Sequence, residues 1–149
     1  MDRTVLSTPP RVKVLEALGA VAGGRVTDVT ETGCRVAASE GDRVYTVRVD
    51  LRTGEASSDD NGTVFRDYVG YPIIAYLMVR GVLPYDQRIA EPLKDVRWRT
   101  LNARLKSYRL VEREIAALLR GRGIEWFEVS AFMDEVLRRL GGLQLWKRS

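Results

Sequence analysis

Apolar and polar positions repeat along the chain with two different periods, and the change between them separates helices from strands. Apolar residues at helical spacing between Val12 and Leu18 predict an N-terminal helix that ends at Gly23-Gly24. The segments RVTDVT, CRVAA and RVYTVRVDL then predict strands, because the turn-forming stretches ETG and SEGD separate them. In the third segment every second residue from Tyr45 to Leu51 is apolar, so we expect a sheet with one buried and one solvated face.

The second half of the chain is predicted to be mainly helical. After a polar loop with a short strand at 63–65, Pro72 suits the first turn of a helix over 71–80. Beyond an irregular connector, the pattern predicts a long helix over 96–120 and a last helix over 130–140, with the hydroxyl of its first residue as the cap.

Together these elements predict an α+β fold, in which a small antiparallel β-meander packs with helices. The length of 149 residues suits a single domain over 1–149, with a helical C-terminal part over about 96–141.

Composition narrows the function classes. No run approaches the ~18 apolar residues of a membrane span, and the first residues lack the charged and apolar regions of a signal peptide, so we expect a cytoplasmic protein without a membrane partner. Cys34 is the one cysteine and there is no histidine, which argues against an internal disulfide, structural zinc and histidine-based catalysis. We therefore expect no enzyme and no cofactor.

The unit over about 43–81 consists of a strand, a loop and a helix, with the flanking sequences YTVRVD and IIAYLMVRG. It resembles the SWIM domain, a small zinc-binding module with Cys-x-Cys near the end of the strand and Cys-x-His at the start of the helix. Ala75 matches an extra alanine in one branch of that family. The four ligand positions are occupied here by Ala56, Ser58, Gly70 and Pro72. The resemblance therefore implies a degenerate copy that has lost its zinc.

Apolar packing is the expected substitute for the metal. The side chains of Ile73, Ile74, Leu77 and Met78 are placed to pack against the sheet. Each contributes about 1.5–3 kcal/mol when fully buried, which in sum is comparable with the ~10 kcal/mol or more of a structural zinc. The alternative interpretation is an ordinary β-hairpin followed by an amphipathic helix.

Three carboxylates in the loop, Asp59, Asp60 and Asp67, suggest a site for magnesium or calcium. Their spacing fits no calcium-binding loop, and polar loops are commonly acidic. A metal-dependent enzyme that uses these residues is therefore the least favoured function.

The predicted helix over 96–120 carries a basic face. Residues 97–123 hold eight basic and two acidic side chains, although the whole chain has a net charge of only +4. At about 100° per residue, one face collects Arg99, Asn102, Lys106, Arg109, Arg113 and Arg120. This face is predicted to bind nucleic acid or an acidic protein, and the alternative is a solvated helix face. Trp98 and Tyr108 lie on the apolar stripe and are assigned to packing.

These observations favour a non-enzymatic accessory or adaptor protein that binds nucleic acid, a protein partner or both. The resemblance to the alanine-containing SWIM branch implies a paralogue of the RecA-family recombinases as partner, in DNA repair. A structural subunit that buries an exposed apolar helix face on assembly is the main alternative.

Overall fold

Seven α-helices and six strands form an α+β fold in the computed structural model, which describes residues 2–149. The strands are β1 (Arg3–Val5), β2 (Val26–Thr30), β3 (Gly33–Ala37), β4 (Val44–Val49), β5 (Ala56–Ser58) and β6 (Trp146–Arg148). The helices are α1 (Val12–Ala22), α2 (Asn61–Phe65), α3 (Tyr71–Val79), α4 (Gln87–Ala90), α5 (Trp98–Leu105), α6 (Tyr108–Arg120) and α7 (Trp126–Leu143), and a short 3₁₀ helix covers Glu91–Leu93.

The predicted meander is confirmed as a four-stranded antiparallel sheet in the order β2-β3-β4-β5. Cys34 of β3 lies opposite Val47 of β4, and both side chains are buried. The alternation in β4 ends at Val49, because Leu51 lies beyond the strand and is exposed. A second sheet pairs β1 with β6 and so joins the two ends of the described chain.

Helix α3 lies at the centre of the fold. Every residue from Pro72 to Met78 is buried, and the helix packs against α1 and all four strands of the meander. The Tyr76 hydroxyl donates a hydrogen bond to the Thr30 carbonyl (2.7 Å) and accepts one from Arg80 (2.8 Å), so the one polar group among these buried side chains is satisfied. The expected apolar packing of α3 on the sheet is confirmed.

The predicted helix over 96–120 is wrong as one element. Lys106 adopts a left-handed conformation (φ 52°) and ends α5, while the Ser107 hydroxyl accepts a hydrogen bond from the Leu110 amide and caps α6. A serine N-cap satisfies an amide that has no partner within the helix. The chain therefore turns at 106–107 although the apolar stripe continues through it.

Glu112 interrupts this apolar stripe because it has a specific partner. Arg11 donates to both Glu112 oxygens, from Nη2 to Oε1 at 2.8 Å and from Nε to Oε2 at 3.1 Å, and from Nη1 to Ser130 Oγ at 2.9 Å. These bonds tie the start of α1 to α6 and α7.

The last helix is longer than predicted at both ends. It begins at Trp126, so Ser130 lies inside it and does not cap it, and it continues through Gly141 and Gly142 to Leu143. No helix within residues 2–149 has both the length and the apolar character needed to cross a membrane.

Replacing Leu77 with alanine should show how much the fold depends on the burial of α3. Leu77 has no exposed surface, so Leu77→Ala is expected to lower the free energy of unfolding by about 2–5 kcal/mol. Val79 on the same helix is 41% exposed, and Val79→Ala should change the free energy of unfolding by no more than about 0.5 kcal/mol. Urea denaturation measures both, and equal effects would contradict the central role of α3.

Candidate functional site

A cleft of about 760 Å³ opens between α1, the β3–β4 turn, the segment around α2 and the junction of α5 with α6. Four tyrosines line it: Tyr45, Tyr68, Tyr71 and Tyr108. We call it the tyrosine cleft. Its volume lies within the range of roughly 300–1,000 Å³ that is typical of small-ligand sites.

An ion pair lies on the floor of the tyrosine cleft. Lys13 and Glu16 are the two charged residues of the otherwise apolar α1, and Lys13 Nζ lies 2.8 Å from Glu16 Oε2. Their side chains are only 15% and 6% exposed. Burial raises the pKa of Glu16. Burial lowers the pKa of Lys13, but the charge and hydrogen bond of Glu16 outweigh it, so this pKa lies above its usual value.

The tyrosines provide aromatic surface and neutral hydroxyls. Tyr45 and Tyr71 pack edge to face, with centroids 6.0 Å apart. Burial raises the pKa of Tyr68 to about 12 and also raises that of Tyr71, so these phenols remain protonated at neutral pH and can donate hydrogen bonds. The assignment of Tyr108 to packing is wrong, because its ring is 46% exposed and lines the cleft. Trp98 is 4% exposed, which confirms its packing role.

A hydrogen-bond network anchors one wall of the cleft to α3. Asp60 Oδ2 accepts from the Thr63 amide (3.1 Å) and Oδ1 from the Thr63 hydroxyl (2.9 Å). The Thr63 hydroxyl in turn accepts from the Gly70 amide (3.1 Å) at the start of α3. Because Asp60 caps α2, the strand predicted at 63–65 is wrong and these residues are helical.

The four residues at the SWIM-type ligand positions lie on β5 and at the start of α3. Ala56 and Ser58 are buried on β5, where they lie opposite Val49 and Val47 of β4. The sequence pattern did not predict β5. Gly70 precedes the first turn of α3 and Pro72 lies in it.

The loop carboxylates do not form a common site. Asp59 accepts a hydrogen bond from the Thr46 amide, Asp60 caps α2, and Asp67 pairs with Lys147 at 2.7 Å. Within residues 2–149, no three cysteine, aspartate or glutamate side chains come together as a metal ion would require. Burial raises the pKa of the Cys34 thiol to about 11, which makes it unreactive at neutral pH.

The β3–β4 turn fixes the rim of the cleft by capping α5 from a distant part of the chain. Ser39 Oγ accepts from the Trp98 amide and Glu40 Oε2 from the Thr100 amide, both at 3.0 Å. The hydrogen bond from the Thr100 hydroxyl lowers the pKa of Glu40. Asp42 of the same turn forms an ion pair with Arg99. Arg99 is therefore already engaged at the rim.

Two further arginines at the rim were not predicted from the sequence. Arg43 and Arg66 are exposed, line the cleft and form no ion pair with any described residue. The Arg43 guanidinium lies 5.2 Å from the centroid of the Tyr45 ring, a cation–π contact.

The predicted basic face is divided by the break at 106–107. Asn102 lines the cleft, as Arg99 does, and the exposed Lys106 lies at the break itself. The remaining three, Arg109, Arg113 and Arg120, are exposed and share one face of α6, about 6 and 10 Å apart along its axis. None of the three forms an ion pair within the described chain. We call them the α6 basic row.

Replacing Gly70 with alanine should test whether the Asp60–Thr63–Gly70 network positions this wall. A Cβ atom at Gly70 would collide with the Asp60 carboxylate, so Gly70→Ala is expected to cost about 1–3 kcal/mol of stability. Gly141 lies in α7 with open space around the same position, and Gly141→Ala should stabilise by up to about 1 kcal/mol. Urea denaturation distinguishes them, and a neutral Gly70→Ala would refute the close contact.

Comparison with known proteins identifies a family. The model for the family described as "Uncharacterised conserved protein UCP014422" matches residues 6–146. No curated protein and no solved structure gave a significant match. Nothing in the family match refers to the SWIM domain, so that resemblance stays a prediction. Because the match covers nearly the whole chain, the protein belongs to the UCP014422 family.

Proposed function

We propose that this protein is a non-enzymatic accessory protein that binds single-stranded nucleic acid along the α6 basic row and the rim of the tyrosine cleft. One observation carries the proposal: exposed arginines that form no ion pair with any described residue lie beside a cleft lined with aromatic rings. Tyr108 lines the cleft and begins α6, and Arg109 of the basic row is the next residue. The aromatic and cationic parts therefore adjoin.

Arginine and tyrosine together fit a single strand better than a duplex. Guanidinium groups bind phosphates whatever the sequence. Aromatic rings bind bases by stacking, and stacking requires bases that are not already paired within a helix. A binding protein of this kind needs no reaction chemistry.

The structural subunit remains the main alternative. On α5 and α6 most of the apolar stripe is buried within the chain, since Leu101 is 7%, Ile115 is 2% and Leu119 is 0% exposed, whereas Tyr108 is 46% and Leu118 is 36% exposed. A cytoplasmic location, a role in DNA repair and a RecA-family partner remain parts of the proposal. The last two depend on the SWIM resemblance alone.

Reversing the charge of the α6 basic row should weaken binding sharply. The test variant carries Arg109→Glu, Arg113→Glu and Arg120→Glu, and its affinity for a labelled strand of about 15 nucleotides is measured by fluorescence anisotropy over a series of salt concentrations. Loss of three phosphate contacts should reduce the slope of log K against log salt by about 2. Arg99 is left unchanged because it pairs with Asp42.

A matched control carries the same three changes of charge elsewhere. Arg35 and Arg48 are exposed on the meander and Arg3 on β1, and these three form no ion pair with any described residue, so both variants have the same net charge. Wild-type affinity is expected for the control. Absence of salt-dependent binding by the wild type, or equal behaviour of the two variants, would exclude the proposal. DNA and RNA strands of one sequence show which nucleic acid binds more tightly.

A further inference from the structure

Charge in the tyrosine cleft changes with depth. The floor holds the buried pair of Lys13 and Glu16, whose charges balance, whereas the rim holds the exposed Arg43 and Arg66, which have no ion-pair partner among residues 2–149. A ligand that fits both levels has its negative charge at the entrance and an uncharged, hydrogen-bonding part inside. A nucleotide within a single strand is divided in this way, since its phosphate is anionic and its base is a neutral ring with polar edges.

Two oxygen atoms in the cleft residues have unused hydrogen-bonding capacity. Glu16 Oε2 accepts from Lys13, but Oε1 accepts no hydrogen bond from the described residues. The Oδ1 atom of Asn102 is buried and also has no partner in the described chain. Asp60 is different, because both of its oxygens accept from Thr63. Trp98 Nε1, a donor on another residue that lines the cleft, is likewise buried without a partner in the described chain. The two acceptors match the amino groups of adenine, cytosine and guanine.

Tyr108 offers a stacking surface beside these acceptors. Lys13 Nζ lies 5.6 Å from the centroid of the Tyr108 ring and 2.8 Å from Glu16 Oε2. Lys13 thus covers part of the ring, and the exposed remainder of Tyr108, beside the Lys13–Glu16 pair, is the surface on which a base can stack. The cleft of about 760 Å³ has room for a single nucleotide.

We propose that the tyrosine cleft takes one unstacked nucleobase that bears an amino group. The base stacks on Tyr108 and donates a hydrogen bond to Glu16, while the adjoining phosphates contact Arg43 and Arg66. This inference rests on the proposed function, because the base enters as part of a strand held along the α6 basic row. It is an act of recognition in which no covalent bond changes.

The experiment compares three strands that share one phosphate backbone and are abasic at every position except the centre. The central position carries 5-methylcytosine, thymine or no base. The two bases share ring and methyl group, and they differ in the amino or carbonyl group at position 4 and in the proton on N3. Wild-type protein should bind the 5-methylcytosine strand about 3- to 10-fold more tightly than the thymine strand, and the fully abasic strand least tightly.

Two variants test which residues produce this order of affinities. Tyr108→Ala should bind all three strands with the affinity of the abasic one, and Glu16→Gln should remove the difference between the two bases. Leu118 on α6 is also partly exposed, and Leu118→Ala is the control that should keep the wild-type order. Circular dichroism checks that each variant is folded. The wild-type comparison decides the question even where Glu16→Gln does not fold.

The outcomes show which of the two proposals fails. Equal, salt-dependent binding of the three strands by the wild type would overturn the base site and leave the proposed function standing. If the triple variant of the α6 basic row binds ordinary single strands as tightly as the wild type does, and the wild type still prefers 5-methylcytosine to thymine, the base site is retained and the row is overturned. Failure to bind any strand would overturn both.

Discussion

The burial of α3 is the constraint on which the rest of the structure depends. Residues Pro72 to Met78 are all buried, so the helix is apolar around its whole circumference and needs cover on every side. The meander covers one side and α1 covers another. Because it provides this cover, α1 is itself buried along most of its length. Its two charged residues, Lys13 and Glu16, line the cleft. Apolar packing thus attaches α3 to the sheet.

The cleft owes its shape to contacts between parts of the chain that are far apart in sequence. The β3–β4 turn caps α5 through Ser39 and Glu40, and Asp60 joins α2 to the start of α3 through Thr63. These hydrogen bonds attach one wall of the cleft to α5 and another to the start of α3. A site whose walls are fixed before binding loses less conformational entropy when a ligand arrives.

Local patterns predicted the elements whose cause is local, and failed where the cause is distant. The apolar period was enough for α1 and for β2 to β4, and Pro72 marked the first turn of α3. The break at 106–107 was readable only from Ser107, a good N-cap inside an otherwise continuous helical pattern. Capping of α5 by a turn about 60 residues earlier leaves no local trace. The pair Lys13 and Glu16 was a readable signal, since two charges three residues apart interrupt an apolar helix.

The proposed recognition role gives the buried Lys13–Glu16 pair an explanation that stability alone does not. Removing two charges from water costs free energy that their attraction seldom exceeds, and apolar replacements of similar volume are often neutral or stabilising. A fold that needed only packing at this point of α1 would be served by leucine or methionine. A buried acceptor such as Glu16 Oε1 at the bottom of an aromatic cleft instead provides discrimination, because a ligand that cannot donate a hydrogen bond leaves that oxygen without a partner. Tyr68 and Tyr71, whose pKa values are raised by burial, add surface without adding charge. Under the proposal, the arrangement would select a ligand by its hydrogen-bonding edge, while the arginines outside would hold it by its phosphates.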